Sequence, residues 1–263
     1  MREVMYDQSS LLICSILFIS MALCIEMGDR IGRSKQGLVN ESSKAQVNTI
    51  QNSLLGLLAL LLGFTFSLSL QRFDSRSNLV VDEANTISTT YLRTQLLPPA
   101  VRKHINPLLI DYLNIRVQVS SISLVDNEKR KVLSTKATQI HNLLWLQVKQ
   151  AAEQGKNYIN TRLFIESLNL LIDIFSKRSA ELNRHVPELV LFILYGTFLM
   201  TGSIVGYASG VTGNRVPFVT YIMVAMIVLL VFIIIDLDRP KRGIIKVNQN
   251  SLIELQASMP EMN

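Results

Sequence analysis

Charge is the scarce resource in this sequence. Only 17% of its 263 residues are Asp, Glu, Lys or Arg. Four stretches contain none at all: residues 45–71 (27 residues), 189–214 (26), 216–235 (20) and 8–25 (18). A helix needs about 20 mostly apolar residues to cross the hydrocarbon core of a bilayer. An ordinary soluble domain, a disordered chain and a collagen-like chain are therefore excluded. Cysteine is almost absent. Cys14 and Cys24 both lie in the first apolar stretch, and read as small apolar residues rather than a disulfide framework or a metal set. The three histidines, His104, His141 and His185, have no metal-ligand spacing and read as surface or helix-end residues. No nucleophile elbow occurs, nor a phosphate loop with its Lys-Ser/Thr. Alternating strand patterns are scarce. No enzyme, cofactor or metal is expected. Basic residues are interspersed with acids and lack interleaved aromatics, so a nucleic-acid partner is not expected either.

What is present is four membrane spans. The first covers roughly residues 10–27. Acidic Glu3 and Asp7 near the start, and the absence of a small-x-small site after the run, favour a retained helix over a cleaved signal. A polar connector, residues 28–44, leads to span two at roughly 52–70. Spans three and four follow at about 189–207 and 216–235, joined by a tight turn. The expected organisation is 1–70 for the first two spans and their connector, 71–187 for a helical cytoplasmic domain, 188–235 for the last two spans, and 236–263 for a polar cytoplasmic tail. The fold class is all-α, an integral membrane protein with four transmembrane helices.

The region 71–187 carries helical stripes. No glycine or proline interrupts residues 64–97, so span two continues beyond the membrane as one long helix until Pro98-Pro99 stops it. Ile105, Leu108, Leu109, Tyr112 and Val119 recur near a 3.6 period. So do Leu133, Ala137, Ile140, Leu144 and Ala151. A last stripe, Phe164, Leu168, Leu171, Ile172 and Phe175, follows a candidate cap at Asn160 or Thr161. Such stripes predict a helical-bundle core.

An even number of spans puts both termini and the region 71–187 on one side. Ten Lys/Arg near the span ends lie on that side and five on the other, which favours cytoplasmic termini. The region 72–187 holds 16 Lys/Arg against 10 Asp/Glu. That excess either solvates a helical surface or concentrates anions near a pore mouth.

Inside the spans no ionisable residue sits centrally, which argues against a proton-coupled transporter. Gly202, Gly206 and Gly210 recur every four residues, the spacing that lets two helices approach closely. Gly56, Leu60, Phe64, Ser67 and Gln71 share one face of span two. That face suits either helix packing or, with several copies around an axis, an apolar constriction.

Two motifs sharpen this reading. Gly63-Phe64, seven residues, then Arg72-Phe73 resembles the second membrane helix of bestrophins. LLGFTFSLSLQRFDSRSNLVVDEANTISTTYLRTQLLP (61–98), DLDRPKRGIIKVNQ (236–249) and GDRIGR (28–33) resemble the bacterial bestrophin-like domain family over essentially the whole chain. The resemblance implies a homopentameric ion channel of the bacterial inner membrane, usually selective for anions such as chloride, with cytosolic termini. It implies that the second helix lines the pore, with Leu60 and Phe64 at two neck positions. The third falls on Gly56, followed by Leu57, where bestrophins carry a larger apolar residue and then proline. The acidic calcium clasp of animal bestrophins is absent. Its expected partners are membrane lipid, further copies of itself and a permeant inorganic ion.

Asp236, Asp238, Arg239 and Arg242 end span four. They are expected to pair with one another or with Arg72 and Arg76, or else to form a charge ring at the inner mouth. Asp82, Glu83 and Asn85 read as inter-helix contacts or as a vestibule lining. The competing function is a non-conducting membrane scaffold or sensor whose cytoplasmic helices bind a partner.

Overall fold

The computed structural model describes residues 8–122, 126–153, 158–213, 215–239 and 244–259. Among them every regular element is helical. In chain order they are α1 (Ser10–Ser34), α2 (Glu41–Arg93), a short 3₁₀ turn (Thr94–Leu96), α3 (Pro99–Ser121), α4 (Asn127–Glu153), α5 (Tyr158–Leu182), α6 (Glu188–Val211), α7 (Phe218–Asp238) and α8 (Asn250–Ser258). Four of these, α1, α2, α6 and α7, are long and apolar enough to cross a membrane.

Local chemistry explains the boundaries. Ser9 caps α1 by accepting the Leu12 N–H at 3.2 Å, which satisfies a donor the helix leaves open. Asn40 does the same ahead of α2, accepting from Ser43 N–H at 2.9 Å. The 53 residues of α2 span about 80 Å at 1.5 Å per residue. It ends where the prolines begin, and Pro99 opens α3 in the first turn, where its missing donor costs nothing. Gly213, at φ +77°, closes α6 in the left-handed conformation that glycine adopts without a Cβ penalty.

The chain divides into two compact units, the first drawn from Met1–Gln71 and His185–Arg239, the second from Arg72–Arg184 and Pro240–Asn263. The first unit's core is apolar. Leu17, Met21 and Ile25 of α1 meet Leu58 and Leu62 of α2, Leu194 and Phe198 of α6, and Val224, Val231 and Ile234 of α7.

The second unit's core gathers Val80, Ile87 and Tyr91 of α2 with Ile105, Leu109 and Tyr112 of α3. Ala137, Ile140 and Leu144 of α4 and Phe164, Leu168 and Leu171 of α5 complete it. Each fully buried side chain of this size contributes roughly 1.5–3 kcal/mol. Residues expected as a polar tail join the same core: Leu252 and Leu255 of α8, and Met259, are buried there.

Three sequence expectations need revision. The helix of span one does not stop near Met27 but runs to Ser34, because Gly28 and Gly32 serve close packing rather than a loop. Asn160 and Thr161 lie inside α5, which already includes Tyr158, and Thr161 is buried. His141 is a core residue, not a surface or helix-end one. The expected helix end near Gly155 lies outside the described residues.

Candidate functional site

A single helix, α2, presents two opposite characters. Leu58, Leu62, Thr65 and Ser69 are buried. About 3.6 residues per turn puts Gly56, Leu60, Phe64, Ser67 and Gln71 on the opposite side. All five are exposed within the chain. Leu60 is 55% and Phe64 61% accessible. A Cβ built at Gly56 meets nothing within 4 Å. Ser53 and Thr49, about one and two turns before Gly56, are exposed on the same side. The face thus reads polar, apolar, polar along the helix. The Thr49 and Ser53 hydroxyls donate to carbonyls of their own helix, at 2.9 Å each, so this order of groups suits the two interfaces of a lipid-facing span as well as a water-lined path with a short dry waist.

The charges expected at the inner mouth are fasteners. Asp238 accepts the Val186 N–H with both carboxylate oxygens, at 3.2 Å each, and so ties the end of α7 to the start of α6. Arg239 donates to the Gln8 carbonyl and to Ser10 Oγ, anchoring the start of α1. Asp236 is buried on α7. Arg242 lies outside the described residues. In the second unit, Arg76 donates to the carbonyls of Glu181 at 3.2 Å and Arg184 at 2.6 Å. A cation is favourable at the C-terminal end of α5, where helix carbonyls lack partners. Arg72 is half-buried.

Of the acidic group beyond span two, Asp82 and Asn85 are exposed while Glu83 is completely buried. Glu83 accepts from Tyr112 Oη at 3.0 Å, from Arg116 Nε and Nη2, and from Arg178 Nη1. Arg178 also donates to Gln249 Oε1 in the segment before α8. One carboxylate thus joins α2, α3 and α5, and one of its arginines holds the C-terminal segment. Burial, then the Glu83 carboxylate, raises the Tyr112 phenol well above its ordinary value.

His141 lies against this cluster. Its ring centroid is 4.9 Å from Tyr112 and 5.0 Å from Phe175, and the Arg116 guanidinium sits 5.0 Å over Phe175. Burial, then the Arg116 charge, lowers its imidazole to about 4 against the opposing pull of Glu83. It is therefore neutral near neutral pH. No group of His, Cys, Asp and Glu able to hold a metal occurs among the described residues.

The glycines of α6 meet those of α1 at backbone contact. A Cβ at Gly206 would overlap the Ile25 carbonyl, and one at Gly210 the Asp29 carbonyl. In return, Gly28 faces the Ser203 carbonyl and Gly32 the Tyr207 carbonyl at the same closeness. Gly202 has more room, its Cβ position 3.4 Å from the Met21 carbonyl. Sequence reasoning named the α6 glycines but not their partners. The four-residue step from Gly28 to Gly32 was the available signal. It likewise missed Arg116 and Arg178. Each lies on an apolar stripe, Arg116 between Tyr112 and Val119 and Arg178 one turn past Phe175, where a solvated charge does not belong.

With this geometry in place, comparison with known proteins is informative. The bestrophin-like domain family matches residues 30–252. A search of curated proteins finds no match. Among solved structures, a mutant form of a bacterial bestrophin homologue from Klebsiella pneumoniae superposes with a TM-score of 0.70 at 17% identity, covering 97% of this chain and 98% of that one. Another mutant form of that homologue gives 0.66 at 18%, covering 94% and 98%. A structure described as a membrane protein gives 0.67 at 17%, covering 97% and 99%. The shared fold and the family match over most of the sequence agree: this chain is a multi-pass membrane protein that belongs to the bestrophin-like family.

Proposed function

We propose that copies of this chain surround a common axis and pass ions passively along the exposed face of α2. The observation that carries this is the order of groups on that face in a chain of the bestrophin-like family: Thr49 and Ser53, then Gly56, Leu60 and Phe64, then Ser67 and Gln71. On a symmetric axis each position becomes a ring. Leu60 and Phe64 form two apolar rings that control wetting of the path. Gly56 contributes no side chain, so the third neck position is open and the constriction is two rings deep. Five copies is the number that the family suggests. The charge count near the span ends, ten Lys/Arg against five, favours termini and a second unit in the cytoplasm, and we take the spans to lie in a bacterial inner membrane. No chemical step is proposed.

The test is a disulfide crosslink. In Phe64→Cys, oxidation of the purified protein in detergent is expected to yield covalent dimers on a denaturing gel, because neighbouring copies bring this position together at the axis. The wild type, with Cys14 buried and Cys24 half-buried, is the baseline. Failure of Phe64→Cys to crosslink in a protein that elutes as an oligomer would place α2 away from the axis. That outcome favours the scaffold or sensor reading.

A further inference from the structure

We infer that, conducting or not, the first unit seats one acyl chain of a zwitterionic phospholipid in a slot between α1, α6 and α7. The slot lies wholly within that unit. It encloses about 60 Å³, or about 670 Å³ with its open side counted, so it is narrow. Its walls are apolar: Leu17 of α1, Leu191, Leu194 and Phe198 of α6, and Val231 and Ile234 of α7. All but the half-buried Leu191 are buried. The hydroxyl of Tyr195, also on the wall, is spent on Ser20 Oγ at 2.9 Å.

The charges gather at one end. His185 Nδ1 is 3.9 Å from Asp238 Oδ2, and Asp238 accepts the Val186 N–H. Arg239 brings the start of α1 to the same rim through the Gln8 carbonyl and Ser10 Oγ. Glu188, in the first turn of α6, completes it. From this rim the slot runs inward. Phe198 is ten residues beyond Glu188 on one helix, about 15 Å at 1.5 Å per residue. Half of a hydrocarbon core of about 30 Å has the same length. Charge above a dry slot one leaflet deep is the order of groups in a lipid. Water has no place below the rim, because a buried water needs about two to four polar partners. An empty slot would forfeit dispersion contacts along its walls, and a single flexible chain from the surrounding leaflet restores them. The rim sets Glu188 and Asp238 beside Arg239. A headgroup with a phosphate and an ammonium finds both signs there, whereas an anionic headgroup meets two carboxylates.

The experiment uses purified full-length protein and a phosphatidylcholine probe with a photoactivatable diazirine midway along one acyl chain. The probe is a fixed small fraction of vesicles made either of phosphatidylglycerol or of unlabelled phosphatidylcholine. After illumination, labelled residues are mapped by mass spectrometry. Lipid at the protein surface reaches Met200 and Met226, which are 60% and 65% exposed. Only a chain inside the slot reaches Leu194, Phe198 and Val231. In phosphatidylglycerol vesicles the wild type is expected to be labelled at both sets. In phosphatidylcholine vesicles the buried label should fall several-fold relative to the exposed label, as unlabelled zwitterionic lipid takes the slot. Leu191→Trp, which enlarges a half-buried wall residue, should lose the buried label several-fold and keep the exposed label, with gel filtration confirming the wild-type assembly. Wild-type label confined to Met200 and Met226 would overturn the proposal and leave the slot to a neighbouring copy. Equal ratios in the two vesicles would overturn the headgroup assignment. Buried label unchanged in an intact Leu191→Trp assembly would overturn the slot as the seat of the chain.

Discussion

Replacing Glu83 by Gln is expected to cost about 3–5 kcal/mol, the range for removing one partner of a buried ion pair. The substitution keeps the side-chain volume but leaves two guanidiniums, Arg116 and Arg178, buried without a counter-charge. Both are over nine-tenths buried, so water cannot compensate. The loss should exceed that of any surface charge, since an exposed ion pair such as Arg162–Glu166 contributes about 0–1 kcal/mol. Thermal unfolding of the detergent-solubilised protein should show the midpoint falling by roughly 10 °C, at a few degrees per kcal/mol for a chain of this size. A companion variant separates charge from shape. Glu83→Leu with Arg116→Leu and Arg178→Met removes all three charges together and should recover most of the stability, because an apolar replacement of a whole buried ionic group is often neutral. A Glu83→Gln melt within two or three degrees of wild type would show that the cluster is not a net-charged buried site.

Gly206→Ala should be more damaging than its single added methyl suggests. The new Cβ would overlap the carbonyl oxygen of Ile25, with the Ile25 backbone carbon also closer than 3.0 Å. Backbone cannot rotate away as a flexible side chain does, so α1 and α6 must separate. That separation also loosens the reciprocal contacts of Gly28 and Gly32. In a bilayer, helix association depends on such close packing, since lipid is as apolar as the helix surfaces. Gly196→Ala provides the control on the same helix. A Cβ there meets nothing within 4 Å, and alanine is better than glycine in a helix by about 1 kcal/mol. Gly206→Ala is expected to elute aggregated or melt far below wild type, while Gly196→Ala matches or exceeds it. Equal behaviour of the two variants would remove the seam as a determinant of the fold.

Much of the fold is legible in the sequence because membrane solvent imposes a simple rule. Uncharged runs of sufficient length become spans. The stripes Leu133–Ala137–Ile140–Leu144 and Phe164–Leu168–Leu171 become buried faces because period 3.6 has one geometric meaning. The long reach of α2 follows from an interval without glycine or proline. Other features have no local signal. Glu83 and Arg178 are 95 residues apart in sequence, and nothing near either one names the other. Asp29, Arg30 and Arg33 make the end of α1 look like a loop, yet Gly28 and Gly32 turn that stretch into a helix packed on α6. The nine residues of α8 are too few to show a period, though Leu252 and Leu255 enter the core. The proposed conduction face is a different case. Its periodicity is plain, but one face of one helix suits lipid, a neighbour or water equally.

The most direct measurement is current across a planar bilayer holding the purified protein, with Leu60→Ala/Phe64→Ala beside wild type at equal incorporation. Both residues are exposed within the chain, so truncating them leaves each unit's core untouched. Shorter side chains at both apolar rings widen and wet the path. The expected result is measurable current in wild type and a several-fold larger current in the double variant. Silence in both proteins, or identical currents from assemblies of the same size, would contradict a pore lined by Leu60 and Phe64.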